Sequence, residues 1–495
     1  MNLPSTPTLP HIPIKQFTLA NGLRVVLSED RSVPVVSVAV YYDVGSRNER
    51  EGRTGFAHLF EHMMFQGSEN VPKAAHFQYV FNSGGTMNGT TSSERTNYFE
   101  TLPANQLPLA LWLESDRMRS LKVTQENLDN QRDAVKEEKR LNYDNRPYSN
   151  AFLRLNELIY RNPANAHSTI GSMEDLDAAT IDDIREFFRI YYAPNNAVVA
   201  IVGDFDGAEA RALVEKYFAT IPSQPAPPPV DVSEPAEVAE RQETYLDRFA
   251  QLPALMLGWK APARHADDFY ALSLASDLLF AGDSSRLYQR MVKGDESVVA
   301  IQGGVGERRG PSSLYVFAIP KPGHEPEKIQ RTISDEINRL AAEGPTAEEM
   351  EKLRNNLLND TTRGRQSSLF RAQRLAEYAL YDNDPHLFNT ELERYLRVTP
   401  ERIRDAIARY LEADNFSVIE IVPSPEGAGE DDTTSVPASA VAASEVKQPG
   451  APPPQVPPPP PVAPASATEM PAPAEPAAPH PEIPQQPAEA PPIEG

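Results

Sequence analysis

The sequence predicts an α+β fold that occurs twice in tandem and is followed by a proline-rich tail. Three observations lead to this prediction: strand-like and helix-like segments do not alternate regularly, two stretches recur at nearly equal spacing, and prolines cluster at two places. The chain has 495 residues. At about 150 residues per domain it has room for roughly three domains. A sizeable hydrophobic core is therefore expected.

Strand and helix signals both occur in the first part of the chain. Strands are predicted over residues 22–27 and over Val35–Tyr42, because both segments are short and rich in β-branched side chains. Apolar residues at helical spacing predict five helices, over 55–66, 104–119, 124–143, 149–160 and 180–191. Because these segments do not form regular βαβ units, an α+β fold is favoured over a doubly wound parallel sheet.

Two internal matches indicate that the fold is repeated. One match, at an offset of 219–220, pairs residues 180–202 (TIDDIREFFRIYYAPNNAVVAIV) with 399–422 (TPERIRDAIARYLEADNFSVIEIV). The other, at an offset of 215, pairs residues 62–67 (HMMFQG) with 277–282 (DLLFAG). Nearly equal offsets favour a duplication, although a shared helix-then-strand pattern could produce the same similarity.

Proline-rich segments define the predicted domain boundaries. A linker over 223–235 separates a first domain, over 13–222, from a homologous second domain, over 236–425. Residues 426–495 contain 20 of the 48 prolines, carry a net charge of −9 and have few large apolar side chains. Such a segment cannot bury enough surface to offset its chain entropy, so it is predicted to be disordered and to act as a spacer, the alternative being a docking or tethering role.

The composition excludes several classes of protein. The chain has no cysteine, which excludes disulfides, thiolate metal sites and a cysteine nucleophile, so that any metal must bind to His, Asp or Glu. The formal net charge is −23, and the basic residues are scattered. Nucleic-acid binding requires a clustered basic surface, so no nucleic-acid partner is expected.

No targeting or membrane segment is evident. Residues 1–14 lack the basic cluster and the apolar run of a signal peptide. The longest apolar stretches, such as 197–202, have the length of a strand and are too short to cross a bilayer. A cytoplasmic protein without a membrane partner is expected, or a periplasmic one if an export signal was trimmed.

One short segment carries the candidate chemistry. Residues 55–65 read GFAHLFEHMMF, and on a helix the apolar side chains share one face while His58, Glu61 and His62 share the opposite face. His58 and His62 lie one turn apart, where both can bind one ion, and Glu61 can reach a water on that ion. The alternative is a solvated polar face. With nine histidines in the chain, chance would produce H-x-x-E-H on the order of 0.01 times.

The HLFEH motif matches the inverted zinc signature H-x-x-E-H. With the segments GGTMNGTTSSERTNYF at 84–99 and NQRDAVKEEKR at 130–140, the chain resembles the pitrilysin/insulinase-type zinc peptidases over about residues 15–425. It is most similar to their two-domain, mitochondrial-processing-peptidase-like branch. The resemblance implies two pitrilysin-like domains in tandem and one Zn²⁺ per chain.

The resemblance also implies an activity. The expected function is that of a zinc-dependent endopeptidase that hydrolyses peptides or unfolded polypeptide segments, with zinc-bound water as the nucleophile and Glu61 as the general base. The alternative function is a non-catalytic core or assembly subunit of the same fold. Such subunits generally carry degraded motifs, whereas this motif is intact.

The family takes its third zinc ligand from a later helix, and Glu138 lies at the corresponding position, 76 residues after His62. On a helical wheel Glu138 shares the inward stripe with Val135, whereas the neighbouring Glu137 points outward, so Glu138 is the predicted ligand. The family often carries a supporting glutamate where this chain has Gln131. An amide there can still hydrogen-bond a ligand but adds no charge.

The resemblance further implies substrate contacts. Asn88, in the segment 84–99, is expected to hold the substrate backbone at a strand edge, the alternative being a plain β-hairpin. The family uses an Arg/Tyr pair from the half without metal to grip substrate, and Arg308 and Tyr315 have the right separation. Two other pairs have the same spacing, Arg371/Tyr378 and Arg374/Tyr381.

The second half is expected to lack the metal site. Under the internal alignment His58, Glu61 and His62 correspond to three residues that do not form a zinc motif, Ser273, Ser276 and Asp277. The resemblance implies that such chains pair into a four-domain clamshell. A homodimer, or a heterodimer with a metal-free sister chain, is therefore expected.

Overall fold

The first half of the chain forms a six-stranded sheet covered by helices. The computed structural model describes residues 9–235, 241–411 and 416–424. The strands of this half are β1 (Lys15–Thr18), β2 (Arg24–Glu29), β3 (Val35–Tyr42), β4 (Thr86–Thr91), β5 (Thr96–Pro103) and β6 (Ala197–Gly203). Its helices are α1 (Phe56–Met63), α2 (Ala75–Asn82), α3 (Leu107–Arg119), α4 (Gln125–Lys139), α5 (Ser149–Ile159), α6 (Pro163–Ala166), α7 (Met173–Asp177), α8 (Ile181–Tyr191) and α9 (Gly207–Phe218).

The second half forms a five-stranded sheet with its own helices. Its strands are β7 (Arg241–Asp247), β8 (Ala254–Ala261), β9 (Val298–Gly306), β10 (Ser312–Pro320) and β11 (Ser417–Pro423). Its helices are α10 (Asp267–Phe280), α11 (Pro326–Glu343), α12 (Ala347–Gln366), α13 (Ser368–Tyr381), α14 (Leu387–Leu396) and α15 (Pro400–Tyr410). The predicted α+β class and the tandem arrangement are confirmed.

The two sheets have the same topology. The first has the strand order β1-β2-β6-β3-β5-β4 and the second the order β7-β11-β8-β10-β9. In the first sheet β2 and β6 are parallel, in the second β7 and β11 are parallel, and the other neighbouring strands are antiparallel. Apart from β1, each strand of the first sheet thus has an equivalent in the second, which supports the duplication.

The segments that matched in sequence occupy equivalent places. Residues 180–202 form α8 and most of β6, and residues 399–422 contain α15 and most of β11. The other pair of segments covers the C-terminal ends of α1 and α10. Similarity between the halves therefore reflects the same position in the fold and not only a shared local pattern.

Both strands and all five helices predicted in the first part of the chain are present; the strand Val35–Tyr42 has the predicted ends, and the other elements have one or both ends shifted. The strand predicted over 22–27 corresponds to β2, which begins at Arg24 because Gly22, at φ 89°, closes a turn in which the Leu19 amide donates to the Leu23 carbonyl. A Cβ at Gly22 would lie 2.6 Å from Cβ of Asn195, so the position requires glycine. The helix predicted over 124–143 ends at Lys139, where a π-helical turn follows.

The linker predicted over 223–235 contains no helix or strand. Its residues are hydrogen-bonded to the first half: the Asn162 side chain donates to the Asp231 carbonyl at 2.7 Å, and the Asn165 side chain donates to the Val232 carbonyl at 3.0 Å. The exact domain boundaries stay a prediction. The tail predicted over 426–495 lies outside the described residues.

Each half lends a helix to the sheet of the other half. Helix α13 of the second half packs on β3 and β6 of the first sheet, and α5 of the first half packs on β8 and β11 of the second. Gly258 on β8 permits the close approach of α5, because a Cβ there would lie 2.5 Å from Cδ1 of Ile159. The two exchanged helices bury apolar surface on both sheets and join the halves.

Among the described residues, no helix combines the length and the apolar character that crossing a bilayer would require.

Replacing Leu375 by alanine tests the exchanged helix α13. The Leu375 side chain is fully buried in the cluster between α13 and the first sheet. Removing it should lower the free energy of unfolding by about 2–5 kcal/mol, because a cavity remains between the halves. Chemical denaturation followed by circular dichroism measures this change.

Leu141 provides the matched control, because its side chain is 59% exposed. The Leu141→Ala change should stay within about 0.5 kcal/mol of the parent protein. Equal unfolding free energies for the two variants would show that α13 contributes little to the stability of the chain.

Candidate active site

Helix α1 presents the candidate chemical groups on one face. Its apolar side chains, Leu59, Phe60 and Met63, are buried in the core of the first half. The polar side chains of the motif therefore point away from this core, as the helical period requires. Gly55 precedes the helix at φ 81°, and a Cβ there would lie 2.6 Å from the Ile170 carbonyl oxygen. A glycine is thus needed where the chain enters α1.

A buried carboxylate binds the N-terminal end of α1. Glu49 accepts hydrogen bonds from the backbone amides of Gly55 at 2.9 Å and Ala57 at 2.7 Å. Nε2 of His167 lies 2.9 Å from the same carboxylate, and Nδ1 of His167 lies 2.6 Å from the Pro163 carbonyl oxygen. Burial raises the pKa of Glu49, whereas hydrogen bonds oppose this shift. A negative charge here complements the positive end of the helix dipole.

Three potential ligand atoms converge between α1 and α4. Nε2 of His58 lies 3.7 Å from Oε2 of Glu138, and Nε2 of His62 lies 3.4 Å from the same oxygen. Zinc binds such donors at about 2.0–2.2 Å, which leaves ligand atoms roughly 3–4 Å apart around one tetrahedral ion. Two imidazoles and one carboxylate are also the donor types that zinc prefers. The three residues therefore fit a zinc ion.

The imidazole of His58 is in the form that a metal needs. Burial and then the charge of His62 lower the pKa of His58 to about 4, so its ring is neutral at pH 7. Nδ1 of His58 is buried and has no hydrogen-bond partner among the described residues. A neutral ring with one nitrogen facing Glu138 can donate a lone pair to an ion at that place.

Glu61 lies beside the three ligand residues and is almost fully buried. The hydroxyl of Thr91, the last residue of β4, donates to Oε2 of Glu61 at 2.6 Å. Burial raises the pKa of Glu61, while the hydrogen bond from Thr91 opposes this effect. A carboxylate in such surroundings is a stronger base than one in water, as the acceptor of a proton requires.

Helix α4 separates the two candidate glutamates as the helical wheel predicts. Glu137 is exposed and accepts a hydrogen bond from Nη1 of Arg140 at 3.2 Å, whereas Glu138 faces α1. The side chain of Gln131 lies close to His62 and that of Asn142 close to Glu138, and Nε2 of Gln131 donates to Oδ1 of Asn130 at 2.9 Å. Gln131 therefore lies where a supporting residue was expected.

Comparison with known protein families matches both halves of the chain. The family model for insulinase (peptidase family M16) matches residues 24–172, and the model described as the peptidase M16 inactive domain matches residues 178–357. A zinc protease of Helicobacter pylori, PqqE, is 30% identical over 403 residues, which are 79% of this chain and 90% of that protein. The chain belongs to peptidase family M16.

Two further relatives extend the M16 assignment. A crystal structure of a protease from Helicobacter pylori is similar with a TM-score of 0.80 and 28% identity, and covers 83% of this chain and 100% of that one. A probable mitochondrial-processing peptidase subunit beta of Arabidopsis thaliana is 24% identical over 263 residues, 53% of this chain and 49% of that protein. The predicted resemblance to pitrilysin/insulinase-type peptidases is confirmed, which supports a peptidase-type hydrolase at the level of the M16 family.

The predicted substrate contact lies on β4, an edge strand of the M16 sheet. β4 pairs with β5 on one side, and its other side pairs with no strand among the described residues. Asn88 is exposed on β4, and its side-chain oxygen accepts from the Gly89 amide at 2.9 Å. The edge is therefore open to an added strand, and the role of Asn88 stays a prediction.

The predicted Arg/Tyr pair contacts the first M16 half within the same chain. Arg308 donates to the Asn165 carbonyl oxygen at 2.8 Å and to Oδ1 of Asn156 at 3.0 Å, and its guanidinium lies over the ring of Tyr160. The ring of Tyr315 packs against Phe152. Both side chains thus contact the other half of the chain. Substrate binding by this pair stays a prediction.

The second half places other groups at the equivalent helix. Ser273, Ser276 and Asp277 lie on α10 and offer two hydroxyls and one carboxylate. Burial, followed by the charge of Asp360, raises the pKa of Asp277 to about 6. No imidazole is available at these three positions to bind zinc as in α1.

A second group of ligand-type side chains is buried in the first half, formed by His76, Glu100 and Glu114. Nε of Arg117 donates to Oε2 of Glu114 at 3.0 Å, and its guanidinium lies 4.2 Å from the ring centroid of Tyr98. Burial lowers the pKa of His76 to about 3 and raises that of Glu100 to about 8. Because the guanidinium already supplies the positive charge, we interpret this group as a structural charge cluster.

Sequence reasoning missed several residues around the site: Thr91, Asn142, Glu49 and His167. Thr91 lies in the segment that carries the resemblance, but nothing in a single sequence indicates that it contacts Glu61. Asn142 follows α4 in the π-helical turn, which helical periodicity does not predict. Glu49 and His167 are 118 positions apart, so only the tertiary structure reveals their contact.

Changing Glu138 to glutamine tests the ligand assignment. Loss of a residue that only supports a metal ligand typically lowers metal affinity by roughly 10–100-fold. Because the glutamine amide carries no negative charge and replaces a ligand itself, zinc affinity should fall by more than this. Competition with a chromophoric zinc chelator measures the affinity. The matched control is Glu137→Gln on the exposed side of the same helix, which should bind zinc like the parent protein. Equal affinities for both variants would contradict the assignment.

Proposed function

We propose that this protein is a zinc-dependent endopeptidase that hydrolyses peptides or unfolded polypeptide segments. The observation that supports it most directly is the approach of His58 and His62 to Glu138: their Nε2 atoms lie 3.7 and 3.4 Å from Oε2 of Glu138, and the buried Glu61 lies beside them. Membership of the M16 family and the names of its zinc-protease relatives agree with this proposal. The complete motif also disfavours the alternative of a non-catalytic assembly subunit.

The proposed mechanism assigns separate roles to the ligands and to the base. A zinc ion held by the three ligands would supply a water of lowered pKa, toward about 7, and polarise the scissile carbonyl. The hydroxyl of Thr91 binds Oε2 of Glu61, which leaves Oε1 to accept a proton. Glu61 then passes this proton to the nitrogen of the departing amine. Burial raises the pKa of Glu61, which makes its carboxylate a better acceptor for the proton of the water.

The proposed substrate is an extended chain. A segment that adds to the open edge of β4 lies next to Glu61, because Thr91 at the end of that strand contacts the base directly. Backbone hydrogen bonds along the edge require a chain free to adopt an extended conformation. Peptides and unfolded segments satisfy this requirement, whereas folded proteins do not.

Replacing Glu61 by glutamine tests the proposed function. Zinc should remain at about one ion per chain, because the ligands are unchanged, while cleavage of a quenched unstructured peptide should fall by about 100- to 10,000-fold through loss of the base. Metal analysis and initial rates measure the two quantities. The Glu137→Gln variant should cleave like the parent protein. If the zinc-loaded parent protein cleaves no peptide, even with candidate partner chains added, the proposed endopeptidase function is excluded. The result would favour the function of a non-catalytic assembly subunit.

We also propose that two chains pair, as a homodimer or as a heterodimer with a metal-free sister chain. The ligand side chains remain partly open to solvent, at 25% for His62 and 36% for Glu138, so a second chain has room to cover them. One relative is named as a subunit, which agrees with pairing. Light scattering on purified protein should give twice the chain mass of 54.7 kDa for a homodimer. The mass of one chain at every protein concentration would exclude a homodimer. The heterodimer would then be tested by pull-down with a sister chain.

A further inference from the structure

A turn from the second half contacts the loop that follows β4. The turn lies between β9 and β10 and carries Arg309. The loop lies between β4 and β5 and carries Glu94. The two residues are 215 positions apart, so this contact links the half without the zinc motif to the half with it.

Arg309 binds this loop through its backbone and its side chain. Its amide donates to both carboxylate oxygens of Glu94 at 3.0 Å, and Nη2 donates to the Glu94 carbonyl oxygen at 3.0 Å. The guanidinium also forms two bonds to Asp43, at 2.5 Å and 3.3 Å, and lies 4.2 Å from the ring centroid of Tyr381. Hydrogen bonds from a planar guanidinium to several acceptors restrict both the position and the orientation of the loop relative to the turn.

Charges from the first half complete the contact. Arg47 donates to Oε1 of Glu94 at 2.8 Å and to Oδ1 of Asp43 at 3.3 Å. Two arginines therefore face two carboxylates, and Glu94 is only 6% exposed. Because Glu94 is buried and bonded by both arginines, this contact is more rigid than a surface ion pair.

The loop is also held against the segment that precedes α1. The amides of Ser46 and Arg47 donate to the carbonyls of Ser92 and Ser93 at 3.2 and 3.0 Å. At Gly45 a Cβ would lie 2.3 Å from the Ser92 carbonyl oxygen, so only glycine permits this approach. The position of the loop is thus defined from both sides.

The loop in turn positions the partner of Glu61. Thr91 directly precedes the loop and donates to Glu61. Arg95, the last residue of the loop, donates from Nη1 to the Thr90 carbonyl oxygen at 2.9 Å. A displacement of the loop must therefore move the Thr91 hydroxyl and the end of the β4 edge. A shift of about 1 Å in a catalytic arrangement can cost roughly 100-fold in rate.

We propose that Arg309 is a positioning residue of the second half, which fixes Glu61 through Glu94, the loop and Thr91. This inference rests on the proposed peptidase function. It gives the half without a zinc motif a role in the reaction in addition to the exchange of helices. The competing explanation is that Arg309 only joins the two halves.

Arg309→Met tests the proposal, with Arg154→Met as the matched control. Arg154 also bridges the halves, because its Nε lies 2.9 Å from both carboxylate oxygens of Glu243, but it does not contact the loop after β4. We expect kcat of Arg309→Met to fall at least about tenfold with little change in KM and with zinc retained. Arg154→Met should keep the kcat of the parent protein. Equal kcat values for the two variants would overturn the proposal.

A double-mutant cycle with Thr91→Val separates positioning from stability. If Arg309 acts through Thr91, the double variant should be hardly slower than the slower single variant, because both changes release the same group. If the fold decrease in kcat of the double variant equals the product of the two single decreases, Arg309 does not act through Thr91. That result would overturn the proposal.

Amide hydrogen exchange tests the contact without any turnover. Exchange at residues 90–95 should be faster in Arg309→Met than in Arg154→Met, and equal exchange would count against the proposal. If the parent protein cleaves no peptide, the proposed function fails, whereas the exchange result still decides whether Arg309 holds the loop. If Arg309→Met does not fold, Glu94→Gln replaces it, with the same expected exchange and the same contradicting result.

Discussion

The reciprocal exchange of helices α5 and α13 is the interaction on which the rest of the structure depends. Each sheet would otherwise expose an apolar face, and each half uses a helix of the other to cover it. Burial of this surface favours one arrangement of the halves over independent domains. Contacts between the halves can then be specific, since their elements meet in a defined register.

This arrangement explains how a duplicated fold can divide its roles. The same topology presents α1 in one half and α10 in the other, but only α1 carries two imidazoles and a carboxylate at helical spacing. The second half is free to contribute in other ways, through α13 and through the turn between β9 and β10. The second copy lacks the ligand residues and still contributes to the fold through these contacts.

Local patterns predicted much of the fold because strand and helix periods are local properties. The strand Val35–Tyr42 and the helix at α8 have the predicted ends within a residue. Other ends shifted where a turn decided them, as at Gly22, whose conformation depends on a close approach to Asn195. Internal similarity predicted the tandem arrangement, but the exchange of helices has no sequence period and was not predicted.

The sequence by itself determined the candidate zinc motif, because two histidines four residues apart must share one face of a helix. The wheel of α4 likewise distinguished Glu138 from Glu137 before any tertiary contact was known. Only the tertiary structure decided which groups support them: Thr91, Asn142 and the contact of Arg309 with the loop after β4. These contacts join residues that are distant in sequence or lie in irregular turns, and no local period specifies such neighbours.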